Sequence, residues 1–424
     1  MTITELKEII ASGGFDRDFT MLYGETATAR ERFMKAAEQF ESLYPEREGI
    51  RLFSAPGRTE IGGNHTDHQH GSILAGSVDL DVIAIVAPNQ DGKVRIKSEG
   101  YEMDTVDVRE LDAVPAETGR AAALIRGVLN RFADLGCPLS GFNAYTTSNV
   151  LKGSGLSSSA AFEVLIGNIV NGLFFGGAAD ATTIAKIGQF AEREYFGKPC
   201  GLLDQMASSL GGFTYADFHD PQNPVTETID LDLHAFGYTL CVVDTGGNHA
   251  NLTQDYADIT IECKAVSNAL GVDFLRDADP DRFYASLASL RKTCGDRAVL
   301  RAYHFFNEQR RVGEMRAALK AADFATFLRL VNESGHSSFD YLQNLYSHSA
   351  VSEQGLPLAI ALTERFLQGD GAFRVHGGGF AGTIQCYIPT SRMAEYRTMI
   401  EAVFGKGSCV PLNIRPVGGY ELKK

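Results

Sequence analysis

The sequence predicts an α+β chain of two or more domains, and three observations carry that reading. Helical apolar stripes and strand-like runs of β-branched residues are mixed without the regular alternation of a doubly wound sheet. The 424 residues exceed what one hydrophobic core usually serves. Neither an internal repeat nor a low-complexity linker is evident, so the boundary is expected as a packed junction near residues 210–220, giving lobes 1–215 and 216–424.

Taken in order, residues 27–43 read as an amphipathic helix with a polar start. Residues 50–58 (IRLFSAPGR) form a short strand entering a turn. In 72–88, Val78, Leu80, Val82, Ala84 and Val86 share one strand face, and Ile83 and Ile85 make the other face apolar too. Asn-Gln-Asp-Gly at 89–92 predicts a hairpin turn into KVRIKSE. A helix is expected over 118–135, where Leu124, Ile125, Val128, Leu129 and Phe132 form a stripe that Gly136 ends. FNAYTTS (142–148) is strand-like, a Gly/Ser loop follows at 153–159, and a buried helix runs on to Gly176-Gly177. Asp180 is placed to cap a helix over 181–196. Further on, 239–245 and 383–389 read as strands, and 356–368 and the segment after Thr253 as helices.

Composition removes whole classes of function. A net charge of −14 opposes generic attraction to nucleic acid or to an anionic membrane surface. No apolar run is long enough to span a bilayer, and the acidic N-terminus does not resemble a signal peptide. Seven scattered cysteines without CxxC spacing predict free thiols. A cytoplasmic enzyme is the simplest class this predicts, with a soluble binding protein as the open alternative at this point. A monomer fits, although the sequence does not fix the oligomeric state.

The segment Gly153-Ser154-Gly155-Leu156-Ser157-Ser158-Ser159-Ala160-Ala161 lies between a strand and a helix. Glycines allow a sharp turn, the helix start presents free N–H groups, and the serines add hydroxyls. That combination suits the phosphates of a nucleotide. It lacks the Walker A pattern, and a glycine turn capping a buried helix would read the same way locally.

The segment resembles the second motif of the GHMP kinases in its galactokinase form. Ala55-Pro56-Gly57-Arg58 through His65-Thr66-Asp67 resembles the galactokinase signature. Pro199-Cys200-Gly201-Leu202-Leu203-Asp204-Gln205-Met206 is similar to the stretch around that family's catalytic aspartate. His376-Gly377-Gly378-Gly379-Phe380-Ala381-Gly382 is similar to the third GHMP motif, and Val331-Asn332-Glu333-Ser334 to a galactokinase helix. The resemblance implies a ribosomal protein S5 domain 2-like N-terminal lobe, a ferredoxin-like C-terminal lobe and an active site between them. It implies ATP and Mg2+ as cofactors and a sugar phosphorylated on its anomeric hydroxyl.

Carried over residue by residue, the resemblance makes Asp204 the catalytic carboxylate and Arg58 its electrostatic partner. Gly153, Ser154, Gly155, Leu156, Ser157, Ser158 and Ser159 would bind the nucleotide, with Lys152 near the phosphates. Ser159 and Glu192 would hold the metal. Asn64, His65, Asp67, Gly201, Tyr256 and Gly378, with Asp204, would line the sugar. The triplet His65, His68, His70 lacks HExxH spacing, which argues against a metal cluster there. An asparagine at 64 replaces the family's usual acidic residue, which contacts the primary hydroxyl, and Thr59-Glu60 and His68-Gln69 depart as well. Galactose is therefore the first substrate expected and galacturonate the second, ahead of N-acetylgalactosamine and arabinose. A regulatory sensor without turnover is the alternative of another class, and mevalonate or homoserine as acceptor is disfavoured by the H-T-D and D-Q matches.

Overall fold

A computed structural model describes residues 1–44, 48–150, 155–247 and 252–423, without the side chain of Thr253. Its strands are β1 (Arg51–Gly62), β2 (Ser72–Pro88), β3 (Lys93–Ser98), β4 (Met103–Asp107), β5 (Phe142–Ser148) and β6 (Phe213–Asp217). They continue with β7 (Val225–Ile229), β8 (Tyr238–Asp244), β9 (Ala372–Val375), β10 (Thr383–Pro389), β11 (Cys409–Leu412) and β12 (Tyr420–Leu422). The first sheet runs β12-β1-β2-β5-β3-β4, with the β6–β7 pair joined to the early half of β2. The second is antiparallel in the order β11-β8-β10-β9, which is the 4-1-3-2 order of a ferredoxin-like lobe.

The doubly apolar β2 has a simple cause. Val82, Ala84 and Val86 pack into a core with the helices Ala121–Asp134 and Ser158–Phe174. Ile83, Ile85 and Ala87 face a second core made by the helices Ile3–Ser12, Asp16–Tyr23 and Ala27–Leu43. Both faces of the strand are covered, so alternation is lost.

Two expectations need correction. Residues 89–92 do not close a hairpin, because β5 lies between β2 and β3, antiparallel to the first and parallel to the second. A strand apolar on both faces belongs in a sheet interior and takes a partner on each edge. The boundary at 215/216 passes through β6, which pairs with β2 and β7 and stays with the first sheet. That sheet also takes back β12, paired with β1. One continuous core includes Phe53 and Val164 from the first sheet's side together with Leu240, Phe327 and Tyr387 from the second's.

Candidate active site

β1 slips register against β2 between Pro56 and Arg58 and again between Glu60 and Gly62. Such bulges re-aim side chains, and here they turn Arg58 toward the start of the helix Ser158–Phe174. The Arg58 N–H donates to Leu156 O at 3.0 Å, and its guanidinium donates to Gly155 O. A Cβ at Gly57 would stand 2.8 Å from Leu156 O, so the close approach of loop and strand requires glycine there. Gly155 takes a φ of 71° and Ser157 a φ of 58°, which curls the chain into the helix. Gly153, Ser154 and Lys152 lie outside the described residues.

Asp204 sits in the first turn of the helix Leu203–Leu210. Arg58 Nε donates to its Oδ1 at 2.7 Å, and Ser157 Oγ donates to its Oδ2 at 2.5 Å. The aspartate and the Gly/Ser bend therefore share one cleft. Burial alone would raise the carboxyl, but the charge and hydrogen bond of Arg58, with the Ser157 hydroxyl, outweigh it. The group is held below the ordinary carboxylate range and is ionised at neutral pH.

A second cluster adjoins this one. The helix Ala181–Phe190 loosens into a π-turn, Ala191–Phe196, that carries Glu192 inward, and Asp180 caps its start as expected. Such turns often mark functional sites. Ser159 Oγ donates to Glu192 Oε1 at 3.0 Å, and Lys198 Nζ reaches the same oxygen at 2.8 Å. Gln205 Nε2 donates to Glu192 Oε2 and to Glu163 Oε2, both at 2.9 Å. Glu163 is buried inside the apolar helix, and burial followed by the charge of Glu192 pushes its carboxyl well above the ordinary value. Ser159 Oγ and the Glu192 carboxylate are hard oxygens. They fit a magnesium ion that completes its shell with phosphate and water.

The residues expected to line the sugar converge from both lobes. Gly201 lies against Asp67, where a Cβ would stand 1.8 Å from Oδ2. Burial, then repulsion from Asp204, pushes the Asp67 carboxyl up to about 6. His65, at a φ of 57°, meets Gly378 O through Nε2 at 2.9 Å. Burial holds its pKa down at about 4 despite that bond, so the ring is neutral and Nε2 carries the proton. Tyr256 donates to Gly379 O at 2.9 Å, and a Cβ on Gly378 would stand 2.5 Å from its ring.

Asn64 is the exception among the expected sugar contacts. It is fully buried, and its Nδ2 donates to Glu60 Oε1 and Gly377 O, both at 2.8 Å. Its Oδ1 accepts from Asn344 at 2.8 Å and Ser338 at 3.2 Å. All of its hydrogen-bonding capacity goes to stitching β1 to the third motif and the helical segment, and none is left for a sugar. Glu60, which also accepts from Arg374 at 3.1 Å, is pushed up to about 7 by burial in spite of that guanidinium.

Sequence reasoning gave no role to Glu163, Gln205, Glu60 or Lys198. A lone carboxylate inside the apolar AAFEVLIG run, and a lysine six residues after Glu192, were the available signals.

Comparison with known proteins agrees with this geometry. Residues 123–212 match the family model for the GHMP kinases N terminal domain, and residues 38–88 match the galactokinase galactose-binding signature. A galactokinase of Streptomyces coelicolor is 32% identical over 370 residues, covering 87% of this chain and 92% of the relative. A galactokinase of Glaesserella parasuis serovar 5 is 29% identical over 373 residues, covering 87% and 92%. The crystal structure of Lactococcus lactis galactokinase complexed with galactose superposes with a TM-score of 0.75 at 21% identity, over 90% of this chain and 98% of that one. A mevalonate kinase superposes at 0.59 with 15% identity, over 85% of this chain and 99% of that one. With Arg58, Ser157 and Asp204 joined at the head of the Ser158–Phe174 helix and a 32% identical relative matched over most of its length, the chain belongs to the galactokinase family of GHMP kinases.

Proposed function

We propose that this chain transfers the terminal phosphoryl group of ATP to the anomeric hydroxyl of galactose, giving a sugar 1-phosphate. The observation that carries the reading is the contact of Asp204 with both Arg58 and Ser157, which puts an ionised carboxylate beside the phosphate bend. Phosphoryl transfer needs positioning and charge stabilisation more than covalent help. Asp204 accepts the proton of the attacking hydroxyl. Arg58 keeps that carboxylate ionised and offers positive charge to the phosphoryl group in transit. Asp67, Gly201, His65 and Tyr256 shape the sugar wall, with Asp67 accepting hydroxyl protons and His65 Nδ1 as a further acceptor. Ser159 and Glu192 would hold Mg2+, which would supply charge neutralisation on the phosphates when bound.

Galacturonate is the second reading, favoured by Asn64. The support is one of charge and not of contact: an amide stands at position 64 instead of a carboxylate, and the neighbouring Glu60 carboxylate is engaged by Arg374 and Asn64, so neither adds repulsion against an acidic sugar. The lobes are proposed to divide after β7, with the C-terminal strand returning to the first. Seven free thiols support the cytoplasm as the compartment. An ADP-release screen with galactose, galacturonate, N-acetylgalactosamine, arabinose and glucose tests the reading. Turnover is expected to be fastest with galactose, and sugar-dependent ADP release with none of them would overturn it.

A further inference from the structure

Lys198 has no part in the reaction as derived so far, yet its ammonium pairs with the carboxylate proposed to hold the metal. It follows the π-turn and a left-handed Gly197 (φ 84°), and its backbone N–H is fixed to Glu192 O at 3.1 Å. Its side chain is 54% exposed, whereas that of Glu192 is 2% exposed, so the ammonium reaches the buried carboxylate from the solvent side. It contacts Glu192 Oε1 at 2.8 Å, the same atom that accepts from Ser159 Oγ. Its charge is also felt by Asp204. The other Glu192 oxygen is taken by Gln205, which Glu163 holds in turn. The carboxylate is thus braced from behind and presents one oxygen to one cation.

We propose that Lys198 is a mobile phosphate-binding residue: it competes with the divalent cation for Glu192 Oε1, and it moves its charge onto the nucleotide phosphates when the metal–nucleotide complex takes that oxygen. The inference rests on Ser159 and Glu192 as the metal pair. Two cations cannot share one carboxylate oxygen without strong repulsion. A flexible four-carbon stem on an anchored backbone lets the ammonium leave without moving the chain. A phosphate entering the same cleft is the nearest new anion.

Removing the charge should move two affinities in opposite directions. Lys198→Met keeps the stem, and Lys198→Arg keeps the charge. Binding of Mn2+ alone would be followed by electron paramagnetic resonance, and binding of a non-hydrolysable ATP analogue with Mg2+ by calorimetry. Lys198→Met is expected to bind free Mn2+ about tenfold more tightly and the analogue about tenfold more weakly, on the scale of one charged hydrogen bond. Lys198→Arg is expected to recover most of the analogue affinity. Failure of Lys198→Met to gain affinity for free Mn2+, whether or not the unaltered enzyme binds it measurably, overturns the proposal. So does a change of both affinities in the same sense, which marks a merely structural partner of Glu192. Glu192→Gln separates the two levels of the argument: if it binds metal like the unaltered enzyme, the metal pair itself is wrong.

Discussion

Replacing Asp204 by Asn separates the charge of the proposed base from its shape. In the fold, Oδ1 accepts from Arg58 Nε at 2.7 Å and Oδ2 accepts from the Ser157 hydroxyl at 2.5 Å. An asparagine oxygen can keep the first bond, and its amide can donate to the serine hydroxyl, which serves equally as acceptor. The arrangement therefore survives, and Arg58 keeps Gly155 O as a second acceptor. The lost charge on the Arg58 bond should cost stability about 1–3 kcal/mol, which leaves the protein folded. Catalysis should suffer more. A general base contributes about 100- to 10,000-fold, or roughly 3–5 kcal/mol of barrier. An ADP-release assay at saturating substrates, with sugar binding by calorimetry and unfolding by urea, reads all three quantities. A folded, sugar-binding Asp204→Asn enzyme with kcat within about tenfold of the original would refute the assignment, since that loss falls below the range of a general base.

Three further outcomes follow from the same geometry. Asp67, raised to about 6 by burial and by Asp204, should give kcat/KM for the sugar an acid limb near pH 6; in Asp204→Asn the limb of sugar binding should move lower, because the repelling charge is gone, and an unmoved limb would contradict the coupling. Gly201→Ala forces a methyl to within 1.8 Å of Asp67 Oδ2 and should raise the sugar KM about 10- to 100-fold through displacement of that carboxylate, while the KM for ATP stays near its original value. Glu163 holds a proton in the fold to higher pH than when unfolded, so it weakens stability as pH rises above its ordinary 4.5; urea midpoints of Glu163→Gln should fall less steeply than those of the unaltered enzyme from pH 5 to pH 8, and parallel curves would show that Glu163 titrates alike in both states.

Much of the site was legible as short motifs because those motifs are backbone geometry. The GSGLSSSA run specifies a turn and a helix start, and the structure puts its described part beside Arg58 and Asp204. The strand at 72–88 was legible down to its two apolar faces. Side-chain direction was not legible. Asn64 occupies the position of a sugar-contacting residue in the resemblance, yet four buried partners from three segments claim it. Those partners lie 4 to 313 residues away in sequence, and no local pattern encodes them. The false hairpin at 89–92 has a similar origin. Turn residues set a reversal, but the partner across the turn is decided by which strand has the complementary faces, and that strand is β5. The boundary expected near 215 falls inside β6, whose pairing with β2 and β7 joins residues too far apart in sequence for a local pattern to mark.

The Asn64 hub has a thermodynamic consequence. It ties β1 to Gly377 O, to Ser338 and to Asn344, while His65 and Tyr256 are fixed to the carbonyls of Gly378 and Gly379. A sugar bound as proposed would therefore meet a wall assembled in advance, and little association free energy would be lost to ordering it.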